Sequence, residues 1–362
     1  MTHDLKLGEP KKGDVVMTCP GSAWRIPRPS QKANVGGRIR AIATALALLL
    51  FLPWCARGQN GRPLTVLPWN GHKAALSLTF DDGLTAQLEL AIPEMNKRQL
   101  RGTFFLVPNN LERLDDWKRL LAAGEEVGNH TLTHAHLVEL TAEQRTMEVE
   151  YGKEYLERAF GAPVRTFAYP YEETSSDVKS TVSRYSFIAR GSGNLYYMTP
   201  ASNVDWYNVS SQVVKASYDL GVYESWIDRD VDLGAWTILQ FHGLEGFPRG
   251  YEPVSAQTFR NVLDYLKAQE SQGLWVAPFG EVGAYFRAQK IFEQAEVTQA
   301  PYGITYDWNL PEGFPRDVIL KARLNGRGRV YRHKKEILPD ANGTYSIPLD
   351  CGEIFVVLDK KT

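Results

Sequence analysis

The sequence predicts an α/β fold, a parallel sheet that is open or closed into a barrel, followed by a small β module. Three observations carry this. Between residues 74 and 277 short strand-like runs alternate with helical stretches, the pattern of parallel strands joined by crossover helices. After about Ala300 the helical pattern stops, and β-like pieces separated by Asn-Gly turns replace it. Polar residues also cluster just past predicted strands, at the carboxyl ends where ligand sites of both open sheets and barrels lie.

The elements follow in order. Residues 74–80 (AALSLTF) alternate as a strand does and run into Asp81-Asp82-Gly83. Residues 84–99 have helical spacing without glycine, and 102–107 (GTFFLV) form a short buried strand. A helix over 111–123 closes at Gly124, and a brief strand covers 126–128. Thr141 and Gln144 form a capping box that opens a long helix to Phe160, stopped by Gly161. Further strands cover 166–169, 187–190 and 235–241, and a helix over 255–270 leads to a strand at 274–277. In the tail, strands are expected at 318–324, 329–333, 345–349 and 353–358, with turns at Asn325-Gly326 and Asn342-Gly343. That module carries no ligand cluster, so packing or carbohydrate contact is its expected role.

Composition bounds the function. The chain has 362 residues, 43% hydrophobic and 23% charged, which suits a soluble globular protein of one large enzyme domain plus a small module, or of two ordinary domains. A net charge of −1 argues against a polyanion, and nothing marks a nucleic-acid partner. Nine Trp, 17 Tyr and 15 Phe mostly fill cores, though such aromatics also line sugar clefts. No CxxC pair occurs among Cys19, Cys55 and Cys351, so any metal must be held by His and carboxylate.

The first 58 residues read as a leader ending in a signal peptide. Arg38 and Arg40 precede an apolar stretch from Ala41 to Trp54, and Ala56-Arg57-Gly58 supplies small residues for cleavage. The stretch is shorter than the roughly 20 residues of a membrane span, so export is expected; the membrane is a partner only if the segment stays as an anchor. Residues 59–290 are then the catalytic domain, and 300–362 the β module.

Two carboxylates at the end of a strand, Asp81 and Asp82, can enter one pocket where the chain turns. His130 and His134, four apart, would share one face of a helical turn and present two nitrogens to one ion. With Asp82 they supply two imidazoles and a carboxylate, leaving a position open for water, as hydrolytic metal sites do. His136 has the wrong spacing from His130 and is left out. Phe167-Ala168-Tyr169-Pro170-Tyr171, Val204-Asp205-Trp206 and Leu239-Gln240-Phe241-His242 complete the ordered set.

Taken together, these segments resemble the polysaccharide deacetylases, the NodB homology family or carbohydrate esterase family four. That family's motifs run TFDDG, H-[ST]-x-x-H, R-x-P-[YF], an Asp-Trp element and Leu-x-His. The resemblance covers roughly residues 74–288, with Thr79–Gly83 and His130–His134 complete. It implies a distorted, incomplete (β/α) barrel with zinc, cobalt or another divalent metal, acting on a carbohydrate polymer or oligomer. It implies N-deacetylation of an amino sugar in chitin-like chains, peptidoglycan or an exopolysaccharide; the alternatives are O-deacetylation of acetylated xylan and an inactive carbohydrate-binding protein. Carried over by residue, Asp82, His130 and His134 hold the metal, which supplies Lewis acidity. Asp81 is the base, the main-chain N–H of Tyr171 meets the oxyanion, and His242 is the acid, tuned by Asp205. Trp206 walls the acetyl pocket, and Leu239 stands for the leucine of the last motif at the substrate. The chain departs from the pattern at Ala168, where many members have an arginine that pairs with the base. It departs again at Glu172 and Glu173, which follow Tyr171 where a glycine is common, and in the last motif, whose leucine has slipped to Leu239.

Overall fold

The computed structural model describes residues 62–191, 195–248 and 250–359. The leader and its signal segment lie outside the described residues. Among the described residues no helix is long and apolar enough to cross a membrane.

In chain order the elements are β1 (Leu64–Val66), β2 (Ala74–Phe80), α1 (Ile92–Lys97), β3 (Thr103–Leu106), α2 (Leu114–Ala123), β4 (Glu126–Asn129) and α3 (Ala142–Phe160). Then come β5 (Thr166–Ala168), α4 (Ser176–Val182), β6 (Ile188–Arg190), β7 (Gln212–Val213), α5 (Leu220–Leu233) and β8 (Trp236–Phe241). They continue with α6 (Ala256–Glu270), β9 (Leu274–Val276) and α7 (Phe279–Glu293). Seven antiparallel strands close the chain: β10 (Glu296–Ala300), β11 (Gly303–Asp307), β12 (Ile319–Leu324), β13 (Gly328–Arg332), β14 (Lys335–Ile337), β15 (Thr344–Pro348) and β16 (Glu353–Leu358).

Strand β2 is buried at all seven positions, as the centre of a parallel sheet covered on both faces must be. The sheet order is β6-β5-β4-β3-β2-β8-β7, every pair parallel, with β9 paired to the start of β2. An isolated parallel bridge between Arg190 and Val209 brings the segment leading into β7 against β6. The sheet therefore curls back on itself through one isolated bridge and the few backbone bonds around it, which is the distorted, incomplete barrel expected.

Several local predictions hold in detail. Thr141 and Gln144 exchange both bonds of the capping box, and Gly161 ends α3 in the left-handed conformation. The helix expected over 84–99 runs over 85–97 but is not regular. A π-turn over Gln87–Ala91 precedes α1, because Pro93 cannot donate the bond that would continue a regular helix. That turn aims Gln87 inward, where its amide donates to the carbonyls of Asp81 and His242 at 2.6 and 3.2 Å.

Helix α7 corks the barrel. It is buried nearly all round, so it offers no clear amphipathic stripe to read from sequence. Its N-cap position is Pro278, which makes no side-chain cap bond. Its first N–H groups find partners on the strands instead: Phe279 donates to Thr103 Oγ1 at 2.7 Å and Gly280 to Glu126 Oε2 at 2.8 Å. The same carboxylate accepts from the hydroxyls of Thr103 and Thr166 at 2.7 and 2.9 Å. A side chain at 280 would collide with Glu126, which is why glycine stands there.

The tail differs from the expected partition in three ways. It begins at β10, earlier than residue 300. It borrows β1 from the start of the chain, since Leu64 pairs with Leu324 and Val66 with Ala322 in a three-stranded sheet of order β1-β12-β15. The second sheet has the order β10-β11-β16-β13-β14. Both Asn-Gly turns therefore pass the chain from one sheet to the other rather than closing hairpins, and Asn325 anchors β1 by bonding Arg62 O and Thr65 Oγ1. One apolar core runs from Trp236 and Phe286 in the barrel to Tyr306, Ile347 and Ile354 in these sheets. The described residues form one compact unit.

Glu126→Ala should leave the α7 N-terminus and two hydroxyls short of an acceptor, lowering unfolding stability by about 2 kcal/mol. Urea unfolding followed by circular dichroism measures it; a change under about 0.5 kcal/mol would refute the capping role.

Candidate active site

The site forms where β2 ends. Asp81 still pairs with β8, its N–H donating to Phe241 O at 3.0 Å. Asp82 then turns into the left-handed region at φ 74, followed by Gly83 at φ 68. The turn sends both carboxylates into one cavity of about 520 Å³, with His130, His134, Tyr171 and His242 also in its walls.

The two histidines reach the cavity differently from expectation. No helix covers 130–134; the segment is a loop in which Thr131 and His134 adopt φ 65 and 63. Thr131 Oγ1 accepts from His134 N at 3.0 Å and folds the loop tightly enough to bring the rings to 4.8 Å. The imidazoles converge, then, by a capped loop and not by one helix face. His130 Nδ1–H donates to Ala168 O at 2.8 Å, which leaves Nε2 as the lone-pair nitrogen. His130 Nε2 and His134 Nε2 lie 3.7 and 3.4 Å from Asp82 Oδ1, and the three prospective ligand atoms fall within 4.8 Å of one another.

Electrostatics favour a cation at this spot. Burial pushes His130 down to about 3 and lowers His134, so both rings are neutral, the form that ligates metals. Burial, with the charge of Asp81 beside it, pushes Asp82 up to about 6. A divalent ion would relieve that raised carboxyl. Two neutral imidazole nitrogens and one carboxylate fit zinc or a similar ion, with positions left for solvent or substrate.

Asp81 is built differently. It is 1% exposed, and its Oδ2 accepts from Arg190 Nη2 at 2.6 Å and from Gln240 Nε2 at 3.1 Å, with His242 Nε2 at 3.6 Å. Oδ1 is buried and takes no hydrogen bond from the protein. Burial alone would raise this acid, but the Arg190 guanidinium, through its charge and its hydrogen bond, holds it below the usual carboxylate range. The cation missing at Ala168 is thus present on the neighbouring strand. Sequence reading placed Arg190 in a strand and gave it no role. Its signal was an arginine ending a buried strand, where a charge persists only with a partner.

Three expected site residues are placed elsewhere. Asp205 is exposed and pairs with Lys179 Nζ at 2.7 Å, accepting also from Tyr207 N; the carboxylate that faces His242 is Asp81. Trp206 packs on Phe286 at 5.4 Å, under the Arg287 guanidinium, in the barrel core and not in the cavity wall. Leu239 is wholly buried toward the helices, because alternation on β8 turns Gln240 inward and Leu239 outward. Tyr171 does line the cavity, half-exposed at φ 55, its ring stacked 3.7 Å from His136, which is held in turn by Glu173 at 3.0 Å. Sequence reading also missed Tyr251 and Lys215 on the opposite wall. Tyr251 stands edge-on to His242 at 5.3 Å, from a loop pinned where Gly250 meets Gly243.

A parallel barrel whose top cleft joins a bis-imidazole–carboxylate cluster to a buried carboxylate and a further histidine has the makings of a metal-assisted hydrolase. Residues 70–188 match the family model described as Polysaccharide deacetylase. The match includes Asp81, Asp82, His130, His134 and Tyr171 and ends just before Arg190. The peptidoglycan-N-acetylglucosamine deacetylase of Bacillus cereus is 26% identical over 149 residues, 41% of this chain and 51% of that protein. This chain thus spans about half the length of that relative. A gellan lyase from a Bacillus species is 25% identical over 250 residues, 63% of this chain but 10% of that protein. A Mycobacterium smegmatis structure assigned to the polysaccharide deacetylases shares the fold, with TM-score 0.50 and 18% identity over 63% of this chain and 96% of its own.

Divalent metal should co-purify with the chain or bind to it, and His130→Ala should abolish its retention. Elemental analysis after desalting measures this, and a variant still holding one zinc per chain would refute the ligand assignment.

Proposed function

We propose that this chain is an exported, divalent-metal-dependent deacetylase that removes N-acetyl groups from an amino-sugar polymer or oligomer. The observation that carries the reading is one cavity lined by the Asp82–His130–His134 cluster, by Asp81, whose Oδ1 takes no hydrogen bond from the protein, and by His242. Support for the substrate class comes from the family match and from the relative named as a peptidoglycan-N-acetylglucosamine deacetylase. Export rests on the leader pattern of residues 1–58 alone.

Asp82, His130 and His134 would hold the ion, zinc in this reading, which when bound supplies Lewis acidity toward the acetyl carbonyl and water. Asp81 Oδ1 takes the proton of the attacking water, as the one oxygen of that carboxylate without a protein partner. The main-chain N–H of Tyr171 is proposed to meet the developing oxyanion, on a backbone held at φ 55 beside the cavity. His242 carries the proton for the departing sugar amine. Tyr171 and Tyr251 both line the cavity with about half of their surface exposed, surfaces suited to the apolar faces of a sugar ring.

The test is acetate release with zinc or cobalt from N-acetylglucosamine oligomers, peptidoglycan and acetylated xylan. Release from an amino-sugar substrate is expected, falling by about 100-fold or more in Asp81→Asn. No release from any amino-sugar substrate by metal-loaded protein would overturn the reading, and release from xylan alone would reassign it to O-deacetylation. His242→Ala should keep its metal yet lose turnover by a similar factor; unchanged turnover would place the acid elsewhere.

A further inference from the structure

We infer that Arg190 and Gln240 form a buried clamp that aims the base: by engaging Asp81 Oδ2 from two strands, they leave Oδ1 to face the reacting water. The inference rests on the reading of Asp81 as the base.

The clamp is assembled by strand register. On one side of Asp81, β6 pairs with β5 so that Arg190 stands opposite Ala168. The small side chain at 168 belongs to the strand next to the guanidinium. Arg190 is 1% exposed and held at three points: Asp81 Oδ2 at 2.6 Å, Thr79 Oγ1 at 3.1 Å, and the face of Phe105 at 5.0 Å. On the other side, β8 pairs with β2 so that Gln240 stands opposite Thr79, two residues before Asp81. An ionised carboxylate only accepts, so the Gln240 amide must turn its Nε2 to Asp81, and its Oε1 lies 2.8 Å from Ser211 Oγ. Both donors meet the same carboxylate oxygen.

Charge balance alone does not call for this arrangement. Neutralising a buried carboxylate takes one cation, and a bidentate guanidinium would engage both oxygens. Here the guanidinium divides its donors between Asp81 and Thr79, and a neutral amide adds a second bond to the oxygen already paired. The result is an asymmetric carboxylate with one saturated and one free oxygen. The two residues also occupy the places where the chain leaves its family's pattern. Arg190 is the register neighbour of Ala168, and Gln240 sits two before His242, where the Leu-x-His motif has its leucine.

Kinetics on an N-acetylglucosamine oligomer test the clamp in zinc-loaded protein. Arg190→Ala should lower kcat by about 100-fold with KM within about 3-fold, because no cavity wall is removed. Arg190→Lys should recover little, since one ammonium cannot serve Asp81 and Thr79 in the guanidinium's geometry. Adding Ala168→Arg to Arg190→Ala should regain about 10-fold, with the new guanidinium entering from the adjacent strand into space the old one left. Full recovery by lysine would reduce Arg190 to charge compensation and overturn the aiming role. Should the arginine variants fail to fold, Gln240→Leu keeps the ion pair and removes the second bond to Oδ2, along with the bond from Ser211. It should lower kcat by about 10-fold at unchanged melting temperature and metal content. Wild-type turnover with an unaffected Gln240→Leu would sink the clamp alone, whereas a wild type without turnover would sink the deacetylase reading beneath it.

Discussion

A carboxylate that is 1% exposed is stable as an anion only if the protein surrounds it with donors, and that requirement at Asp81 organises the top of the barrel. Three strands answer it. Strand β2 carries the acid, β6 supplies Arg190 and β8 supplies Gln240. The π-turn after β2 adds Gln87, which ties the backbone carbonyls of Asp81 and His242 together and so fixes the distance between the two strand ends. Loop residues pay with backbone strain. Asp82, Thr131, His134, Tyr171 and Glu172 all sit at positive φ, and all but the buried Thr131 line the same cavity. Non-glycine residues hold such conformations only where surrounding bonds over-determine them, as the Thr131–His134 and His136–Glu173 bonds do here.

The opposite end of the barrel answers a different need. An incomplete barrel has a bottom that must be filled, and α7 fills it with its N-terminus bound to Glu126 and its side chains shared with the antiparallel sheets. Strand β1, at the start of the described chain, is stitched into those sheets by β12 and Asn325. Barrel and β module thus stabilise each other through one core, and a boundary drawn near residue 300 would cut through it. Tyr285 of α7 marks the junction, donating to Leu67 O and accepting from Lys321 N.

What the sequence made legible is what short-range spacing records. The alternation of strands and helices, the Thr141 capping box and the positions of Asp81, Asp82, His130, His134 and His242 are all local signals. Contacts across the chain were not legible. Arg190 lies 109 residues from the acid it serves, with no fixed spacing to announce it. Helix α7 borrows its cap from Glu126, 154 residues earlier, so it shows no start signal of its own. Asp205 and Trp206 matched a two-residue pattern that is met easily by chance, and the chain there faces α7 and Lys179 rather than the cleft. The Asn-Gly pairs were read correctly as turns, but whether a turn closes a hairpin or changes sheet depends on partners that lie elsewhere.

The two neighbouring aspartates show how one short segment can supply two chemistries. Asp81 and Asp82 are adjacent on the chain, and both are largely taken out of water. Their surroundings push them in opposite directions: Asp81 falls below the usual range against Arg190, while Asp82 is pushed up to about 6 by burial beside a like charge. The first is satisfied by the protein and keeps its charge. The second has only two neutral imidazole nitrogens beside it, at 3.7 and 3.4 Å, and a cation is the partner that would complete it. Pairs of acids driven apart in this way mark a division of roles, because an acid already paired with arginine has less to gain from an ion than its unpaired neighbour. The turn at Asp82, with φ 74, makes the division possible by swinging the second carboxylate away from Arg190 and toward His130 and His134. An extended residue there would send the two side chains to opposite faces of the sheet, and the cavity would lose either its base or its third ligand.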